Sequence, residues 1–322
     1  MQLCGMKKGV VYKSTGSWYT VKAENGTFYE CRIKGKFRIK GIKSTSPVSV
    51  GDHVQFDVET KGDETIGIIT KIGERDNYII RKSVNLSKQT HIIAANIDIA
   101  FLLVTLNNPP TFTSFIDRFL VTAEAYEIKA VLLFNKIDTY NEDELLEVKL
   151  LAALYRTIGY ECIGISASTG KNVDKVKDMM KDKVSMFSGH SGVGKSTLVN
   201  TIEPNLNLKT TQISNQHMQG QHTTTFAEMF DLSFGARIID TPGIKGFGIV
   251  EVDKEELGGY FPEFFKRKEN CKFNNCLHLE EPHCAVKEAI EEEEIAWSRY
   301  KSYRQMIEGE EEHYRKDIYT NE

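Results

Sequence analysis

Short runs in which hydrophobic and polar residues alternate fill the first 80 positions of the chain. The runs lie at 10–12, 18–21, 28–31 and 54–58, and turn residues at 25–26, 51–52 and 61–63 separate them. A period of two residues predicts β-strands with one buried face, and this region shows no helical period. Five or six short strands without a helix predict a small amino-terminal β-barrel.

At about residue 90 the pattern changes to strands that alternate with helices. Apolar runs predict strands at 97–104, 130–134, 161–165, 184–188 and 236–239, and a period of 3.6 residues predicts helices at 115–126, 142–158 and 173–181. Strands that are apolar throughout are buried on both faces. We therefore predict a parallel sheet with helices on both faces.

The chain from about residue 248 follows neither pattern. It opens with an aromatic segment at 260–265 and a cluster of cysteines, and it ends in a long helical stretch. The apolar residues at helical spacing in that stretch are Val286, Ala289, Ile290, Trp297, Tyr300, Tyr303 and Ile307. We predict a multidomain α/β protein with three parts, at residues 1–82, 83–247 and 248–322.

Charge is distributed unevenly along the 322 residues. The formal net charge is −4, but residues 1–80 carry a net charge of +4 and residues 285–322 one of −5. The longest strongly apolar run, Ile99 to Val104, has about six residues, far fewer than the roughly 20 that a membrane span needs. The first residues also lack the apolar core of a signal peptide, so we expect a cytoplasmic protein with no membrane partner.

A glycine-rich segment between a predicted strand and a predicted helix matches the phosphate-binding loop (P-loop) motif GxxxxGK[ST]. It follows the strand at 184–188 and opens a helix at 197–202, which is the context that this motif requires. Backbone N–H groups bind phosphate, the lysine reaches the β- and γ-phosphates, and the serine ligates Mg²⁺. The predicted nucleotide-binding residues are Gly189, His190, Ser191, Gly192, Val193, Gly194, Lys195, Ser196 and Thr197.

A second motif predicts that the base is guanine. Asn135-Lys136-Ile137-Asp138 follows the strand at 130–134, at the sheet edge where ligands bind in α/β proteins. The Asp138 carboxylate can accept hydrogen bonds from N1–H and the 2-amino group of guanine, whereas adenine offers neither donor. We expect Asn135 to brace the loop and the Lys136 stem to cover the base.

Polar segments after two other strands extend the predicted site. Ser166 and Ala167 follow the strand at 161–165, where a backbone N–H can meet guanine O6. Asp240 ends the strand at 236–239 and can hold Mg²⁺ through water, and the N–H of Gly243 can contact the γ-phosphate. The segment His222-Thr223-Thr224-Thr225 supplies hydroxyls for Mg²⁺, and either Thr224 or Thr225 fits that role.

Three cysteines and one histidine lie close together near the carboxyl end. Cys271, Cys276, His278 and Cys284 form a Cys₃His set, which is typical of a closed, tetrahedral structural zinc site. His283 competes with His278 as the fourth ligand because it lies beside Cys284.

The order of the nucleotide motifs is unusual. The base-reading segments at 135 and 166 precede the phosphate segments at 189, 223 and 240, whereas Ras-like GTPases have the opposite order. With its cysteine pattern, the chain resembles the circularly permuted bacterial GTPases of the ribosome small subunit-dependent GTPase A family, over essentially its whole length. That resemblance supports His278 as the fourth zinc ligand. It implies an OB-like β-barrel, a circularly permuted P-loop GTPase domain, and a carboxy-terminal zinc-binding and helical module.

The resemblance also implies an activity, which is hydrolysis of GTP to GDP and phosphate in late maturation of the 30S ribosomal subunit. Ras-like enzymes orient the attacking water with a glutamine directly after the glycine that corresponds to Gly243, but here that residue is Ile244. We expect slow intrinsic hydrolysis that the 30S subunit stimulates. His222 is our candidate to orient the water, and the alternative is that it is an ordinary residue of a switch loop.

A basic strand is predicted within the barrel. Cationic residues alternate with apolar residues or glycine over most of the segment from 31 to 43, and no acidic residue occurs between Cys31 and Gly51. Cations on one strand face favour a polyanion, and in the resembling family this domain docks on ribosomal RNA, here 16S rRNA. The alternative is a solvated edge strand protected by lysines. The predicted RNA-binding residues are Arg32, Lys34, Lys36, Arg38 and Lys40.

Two other functions compete with a GTPase. A P-loop ATPase or kinase would share the phosphate-binding loop, but Asp138 and Ser166-Ala167 argue against adenine. A nucleotide-gated RNA-binding module, in which hydrolysis is incidental, would show no stimulation by small subunits. For the GTPase we expect a monomer with GTP or GDP, magnesium and one structural zinc ion.

Overall fold

The computed structural model describes residues 3–33, 47–61, 64–82, 90–206, 227–240 and 252–309. Its strands are β1 Leu3–Ser14, β2 Tyr19–Ala23, β3 Phe28–Ile33, β4 His53–Lys61, β5 Glu64–Ile72, β6 Tyr78–Lys82, β7 Thr90–Ala95, β8 Ile99–Val104, β9 Lys129–Phe134, β10 Glu161–Gly164, β11 Val184–Ser188, β12 Glu228–Asp231 and β13 Arg237–Asp240. Its α-helices are α1 Thr113–Ala125, α2 Glu142–Ile158, α3 Val173–Met180, α4 Lys195–Ile202, α5 Lys254–Leu257, α6 Pro262–Lys268, α7 Ala285–Glu291 and α8 Trp297–Glu308.

The first five strands close into a barrel in the order β1-β2-β3-β5-β4-β1, which confirms the predicted amino-terminal barrel. Strand β3 runs parallel to β5, and the other pairs are antiparallel. Alternate residues of β2 point into the barrel core. Gly67 lies so close to β3 that a Cβ atom there would be 2.2 Å from the Cys31 sulfur, so a larger residue would force the buried Cys31 side chain to move.

The second sheet has the order β10-β9-β8-β11-β13-β12, in which only β12, at the edge, is antiparallel. All six residues of β8 are buried. Phe101 and Leu103 join the core under α3 and α4, whereas Leu102 and Val104 join the core under α1 and α2. This alternation confirms the predicted parallel sheet with helices on both faces.

Beyond this sheet, α5 to α8 enclose a separate core that contains the cysteine cluster. The predicted long helical stretch is instead two helices, because the chain turns at 292–296, where Glu293 has a φ of 61°. Trp297, one of the apolar residues at helical spacing, begins α8 and is 61% exposed. Val121 of α1 packs into this core, so the carboxy-terminal module rests on a helix of the parallel sheet.

One buried arginine joins the module to the sheet domain. Arg299 of α8 donates to Asp117 of α1 at 2.7 Å and to Glu263 of α6 at 2.6 Å. Asp117 also accepts a hydrogen bond from Tyr155 at 2.8 Å. Burial raises the pKa of Asp117, and the Arg299 guanidinium opposes that rise. The pairing with Arg299 therefore offsets part of the cost of burying the Asp117 carboxylate at this interface.

Strand β1 of the barrel pairs with β12, the edge strand of the second sheet. Lys13 of β1 pairs with Glu228 of β12, so the strands form one continuous eleven-stranded sheet. Asp231 accepts from the Tyr12 hydroxyl at 2.7 Å and from Lys22 Nζ at 2.5 Å. None of the helices within the described ranges is long and apolar enough to cross a membrane.

Candidate functional site

The phosphate-binding loop connects β11 to α4 at the carboxyl edge of the sheet. Gly189 and Gly194 have φ values of 140° and 100°, in the left-handed region that favours glycine. A Cβ atom at Gly189 would lie 2.8 Å from the Leu103 carbonyl oxygen, and one at Gly194 would lie 2.4 Å from Nδ2 of Asn135. These two glycines therefore allow the loop to lie close to β8 and to the segment that contains Asn135.

Lys195 begins α4 and turns its ammonium back over this loop. Its Nζ donates to the carbonyl oxygens of Gly189, at 2.5 Å, and His190, at 2.8 Å. Burial lowers the pKa of Lys195 to about 8. Among the described residues, the hydrogen-bond partners of this partly buried cation are neutral carbonyls, which favours a neighbouring anion such as phosphate.

Asn135 joins the segments that are predicted to read the base to the predicted phosphate-binding loop. Its Nδ2 donates to the Val193 carbonyl at 2.8 Å, and its Oδ1 accepts from the Ala167 N–H at 2.9 Å. The side chain is buried, and its own carbonyl accepts from the Tyr140 hydroxyl at 3.0 Å. One amide thus holds three predicted segments, near 135, 167 and 193, in a single site.

Asp138 lies at the open end of this site with its carboxylate exposed to solvent. The Ser168 hydroxyl donates to it at 3.2 Å. A hydrogen bond from the Ser166 hydroxyl is the largest cause that holds the pKa of Asp138 below its ordinary value. The carboxylate is therefore ionised at neutral pH, which is the state that accepts hydrogen bonds from two N–H donors.

A segment that the sequence analysis did not single out also borders the site. Between β8 and α1, the Leu106 N–H donates to the Tyr140 hydroxyl at 2.9 Å, and the Asn108 carbonyl accepts from Lys136 Nζ. Because ligands in α/β sheets bind beyond the carboxyl ends of the strands, the position of this segment after β8 was the available signal. It carries no recognisable motif, and sequence reasoning therefore missed it.

Several predicted residues lie outside the described part of the chain. These are His222, Thr223, Thr224, Thr225 and Gly243 of the phosphate side, and Lys34, Lys36, Arg38 and Lys40 of the basic strand. Asp240 is described at the end of β13, beside β11. Arg32 of β3 is exposed, and its guanidinium carbon lies 3.8 Å from the centre of the Trp18 ring.

The structure brings the four predicted metal ligands together. The ligand atoms of Cys271, Cys276, His278 and Cys284 lie within 4.8 Å of one another, and all four residues are buried. The Nδ1 atom of His278 is 3.3 Å from the Cys284 sulfur and 3.7 Å from the Cys271 sulfur, and the two sulfurs are 4.0 Å apart. Tetrahedral zinc with ordinary bond lengths would give edges of roughly 3.5–3.8 Å, so this donor set fits such an ion.

The loop that carries His278 is held from two sides. Tyr300 donates to the His278 carbonyl at 2.8 Å, and the carboxylate of Glu281 accepts from the N–H groups of Leu277 and Leu279, each at 2.8 Å. His278 has a φ of 57°, a left-handed conformation that these contacts support. The competing candidate, His283, is exposed and is not part of the cluster.

Two family models match the chain in consecutive segments. The RsgA N-terminal domain model matches residues 8–69, and the RsgA GTPase model matches residues 72–250. The chain is 74% identical to the small ribosomal subunit biogenesis GTPase RsgA of Christiangramia forsetii, over 97% of this chain and 99% of that protein. It is 69% identical to the protein with the same description from Flavobacterium johnsoniae, over 97% of this chain and 96% of that protein.

Two solved structures share the fold. YjeQ from Thermotoga maritima is 35% identical, with a TM-score of 0.75 over 95% of this chain and 98% of that one. YloQ, described as a circularly permuted GTPase, is 30% identical, with a TM-score of 0.72 over 95% of each chain. The motif order, the joined site and the matches over nearly the whole length agree, and the chain therefore belongs to the RsgA GTPase family.

Proposed function

We propose that the chain hydrolyses GTP to GDP and phosphate and acts in the biogenesis of the small ribosomal subunit, with the 30S particle as its stimulating partner. The observation that carries this proposal is the double hydrogen bond of Asn135, which ties a guanine-reading segment to a phosphate-binding loop. The descriptions of the two relatives reported above support the biological role.

In this proposal one end of the site binds the base and the other end binds the phosphates. Asp138 accepts from the guanine edge, with Ser166 and Ala167 beside it, and Lys136 covers the base. The loop from Gly189 to Thr197 surrounds the phosphates, and Lys195 offsets the negative charge that develops during transfer.

A magnesium ion bound with GTP would add charge neutralisation on the phosphate side. Ser196 and Thr224 are the residues proposed to hold it, and Asp240 is proposed to hold it through water. Ser196 lies in the first turn of α4, directly after Lys195. We further propose that the Gly243 N–H contacts the γ-phosphate.

GTP turnover measured with and without purified 30S particles tests the function. We expect slow turnover alone and marked stimulation by 30S, because Ile244 cannot orient water. The His222→Ala variant should bind GTP normally but lose the stimulated turnover if His222 orients the water.

Other results would contradict these assignments. Equal competition by ATP would indicate a P-loop ATPase. Tight guanine-nucleotide binding without any stimulation would favour the nucleotide-gated RNA-binding module. Full stimulated turnover in His222→Ala would remove His222 from the mechanism while leaving the GTPase assignment intact.

We propose that the Cys₃His cluster holds one structural zinc ion. Burial raises the pKa of Cys276 to about 12 and also raises that of Cys284, so a cation is needed to keep these sulfurs as thiolates. Chelation, or the Cys271→Ser change, should release about one zinc per chain and increase protease cleavage within residues 252–309. Binding of GDP should change little, and the exposed variant His283→Ala is the matched control.

We propose that the barrel binds 16S rRNA through Arg32, Lys34, Lys36, Arg38 and Lys40. Reversing two charges, Lys34→Glu with Lys36→Glu, should weaken 30S binding at low salt and make the affinity less dependent on salt concentration. Reversal of two exposed lysines on α2 and α3, Lys149→Glu with Lys175→Glu, is the control for net charge. If both double variants lose the same affinity for 30S, the basic strand is a solvated edge strand and does not bind RNA.

The remaining assignments are also proposals. The domains are placed at residues 1–82, 83–247 and 248–322, and the chain is proposed to work as a cytoplasmic monomer. Sedimentation of the purified protein, with and without GDP, measures the oligomeric state directly.

A further inference from the structure

The first turn of α1 packs against the phosphate-binding loop, although no nucleotide motif includes this turn. The Phe115 ring lies on the His190 imidazole, with ring centroids 3.9 Å apart and planes inclined by 32°. Burial and the neighbouring Lys195 ammonium lower the pKa of His190, so the imidazole is neutral at physiological pH. A neutral ring can pack against an aromatic face without loss of charge solvation.

This contact involves the residue whose backbone carbonyl binds the Lys195 ammonium. The carbonyl of His190 is one of the two acceptors of Lys195 Nζ, at 2.8 Å. A ring that fixes the His190 side chain therefore also limits the movement of its backbone. Gly189 and Gly192, with φ values of 140° and 84°, lie on either side of this part of the loop, and because a glycine backbone has more conformational freedom than other residues, a fixed His190 side chain restricts the loop between them.

The segment that leads into α1 is itself firmly held. The Thr105 hydroxyl donates to the Pro109 carbonyl at 2.6 Å, and the Thr111 hydroxyl accepts from the Thr105 N–H at 3.1 Å. Pro109 also lies against the loop, since a Cβ atom at Gly192 would be 3.3 Å from its Cδ. Both threonines are buried, and their hydrogen bonds fix the position of the segment before α1 beside the phosphate-binding loop.

We propose that Phe115 is a positioning residue for the phosphate-binding loop, acting through His190. It contributes to the binding of the nucleotide's phosphates and not to recognition of its base. This inference rests on the proposed function, because it refines the guanine-nucleotide site described above.

The Phe115→Ala variant separates these two contributions. Its affinity for GDP should fall about three- to tenfold, which corresponds to the loss of one aromatic pair. Its affinity for guanosine, measured by displacement of a fluorescent GDP analogue, should remain that of the unaltered chain. Phe112→Ala, at the residue before α1 whose ring is 57% exposed, is the matched control and should change neither value.

A double-mutant cycle identifies His190 as the partner. His190→Ala should show the same selective loss, the double variant should lose little more, and Phe115→Tyr should restore GDP affinity. Equal losses for GDP and guanosine, or additive losses in the double variant, would overturn the proposal. A failure of the unaltered chain to prefer GDP over ADP would instead overturn the proposed function, so the two failures are distinguishable.

Discussion

Replacing Asp138 with asparagine should transfer the preference of the chain from guanine to xanthine nucleotides. A hydrogen bond to a charged group contributes about 1.5–3 kcal/mol, so loss of two such bonds should lower GTP affinity roughly 10²- to 10⁴-fold. Xanthine carries a carbonyl where guanine carries its 2-amino group, and an asparagine amide can donate to that carbonyl. Competition between GTP and xanthosine triphosphate for a fluorescent GDP analogue measures the change.

The matched control for this variant is Asp143→Asn. Asp143 lies exposed on α2 of the same domain, so its replacement removes the same charge without touching the site. The interpretation of Asp138 fails if Asp138→Asn still prefers GTP as strongly as the control does.

Of the proposed variants, Arg299→Ala should lower the free energy of unfolding most. It leaves Asp117 buried without its cation and removes the partner of Glu263. Breaking a buried ion pair on one side costs about 3–5 kcal/mol. Urea unfolding of the full chain should show this loss as a lower midpoint, and limited proteolysis should show the carboxy-terminal module released from α1.

Two companion variants test the cause. Arg304, on the same helix, pairs with Glu308 at the surface, so Arg304→Ala should leave the midpoint almost unchanged. Arg299→Met combined with Asp117→Asn should recover part of the loss, because the asparagine carries no charge and can still accept from Tyr155. If Arg299→Ala and Arg304→Ala unfold at the same urea concentration, the buried pair has no such role.

Features with a local signature could be predicted from the sequence. Helix α2 has the predicted bounds because Asn141 and Glu144 form a reciprocal capping box at its start and Gly159 follows its end with a φ of 123°. The phosphate-binding loop and the Cys₃His cluster are contiguous motifs of the same kind. Each can be recognised because the residues that perform the chemistry also lie close together in the sequence.

Features that depend on distant partners could not be predicted. Nothing around Asp117 or Arg299 indicates that they pair, and the contact of Phe115 with His190 joins residues from two separate elements. The break between α7 and α8 was also missed, because helical spacing of apolar residues continues across it. In each case the deciding interaction is tertiary and leaves no periodic trace in the chain.

The pairing of Asp117 with Arg299 also affects the order of events while the chain is being synthesised. The two residues are 182 positions apart, and chains grow at about 5–20 residues per second, so Asp117 is made roughly 10 to 35 s before its cation. Over that interval the nascent sheet domain cannot bury this carboxylate at low cost. Because of this order of synthesis, docking of the carboxy-terminal module is a late step in the folding of the newly made chain.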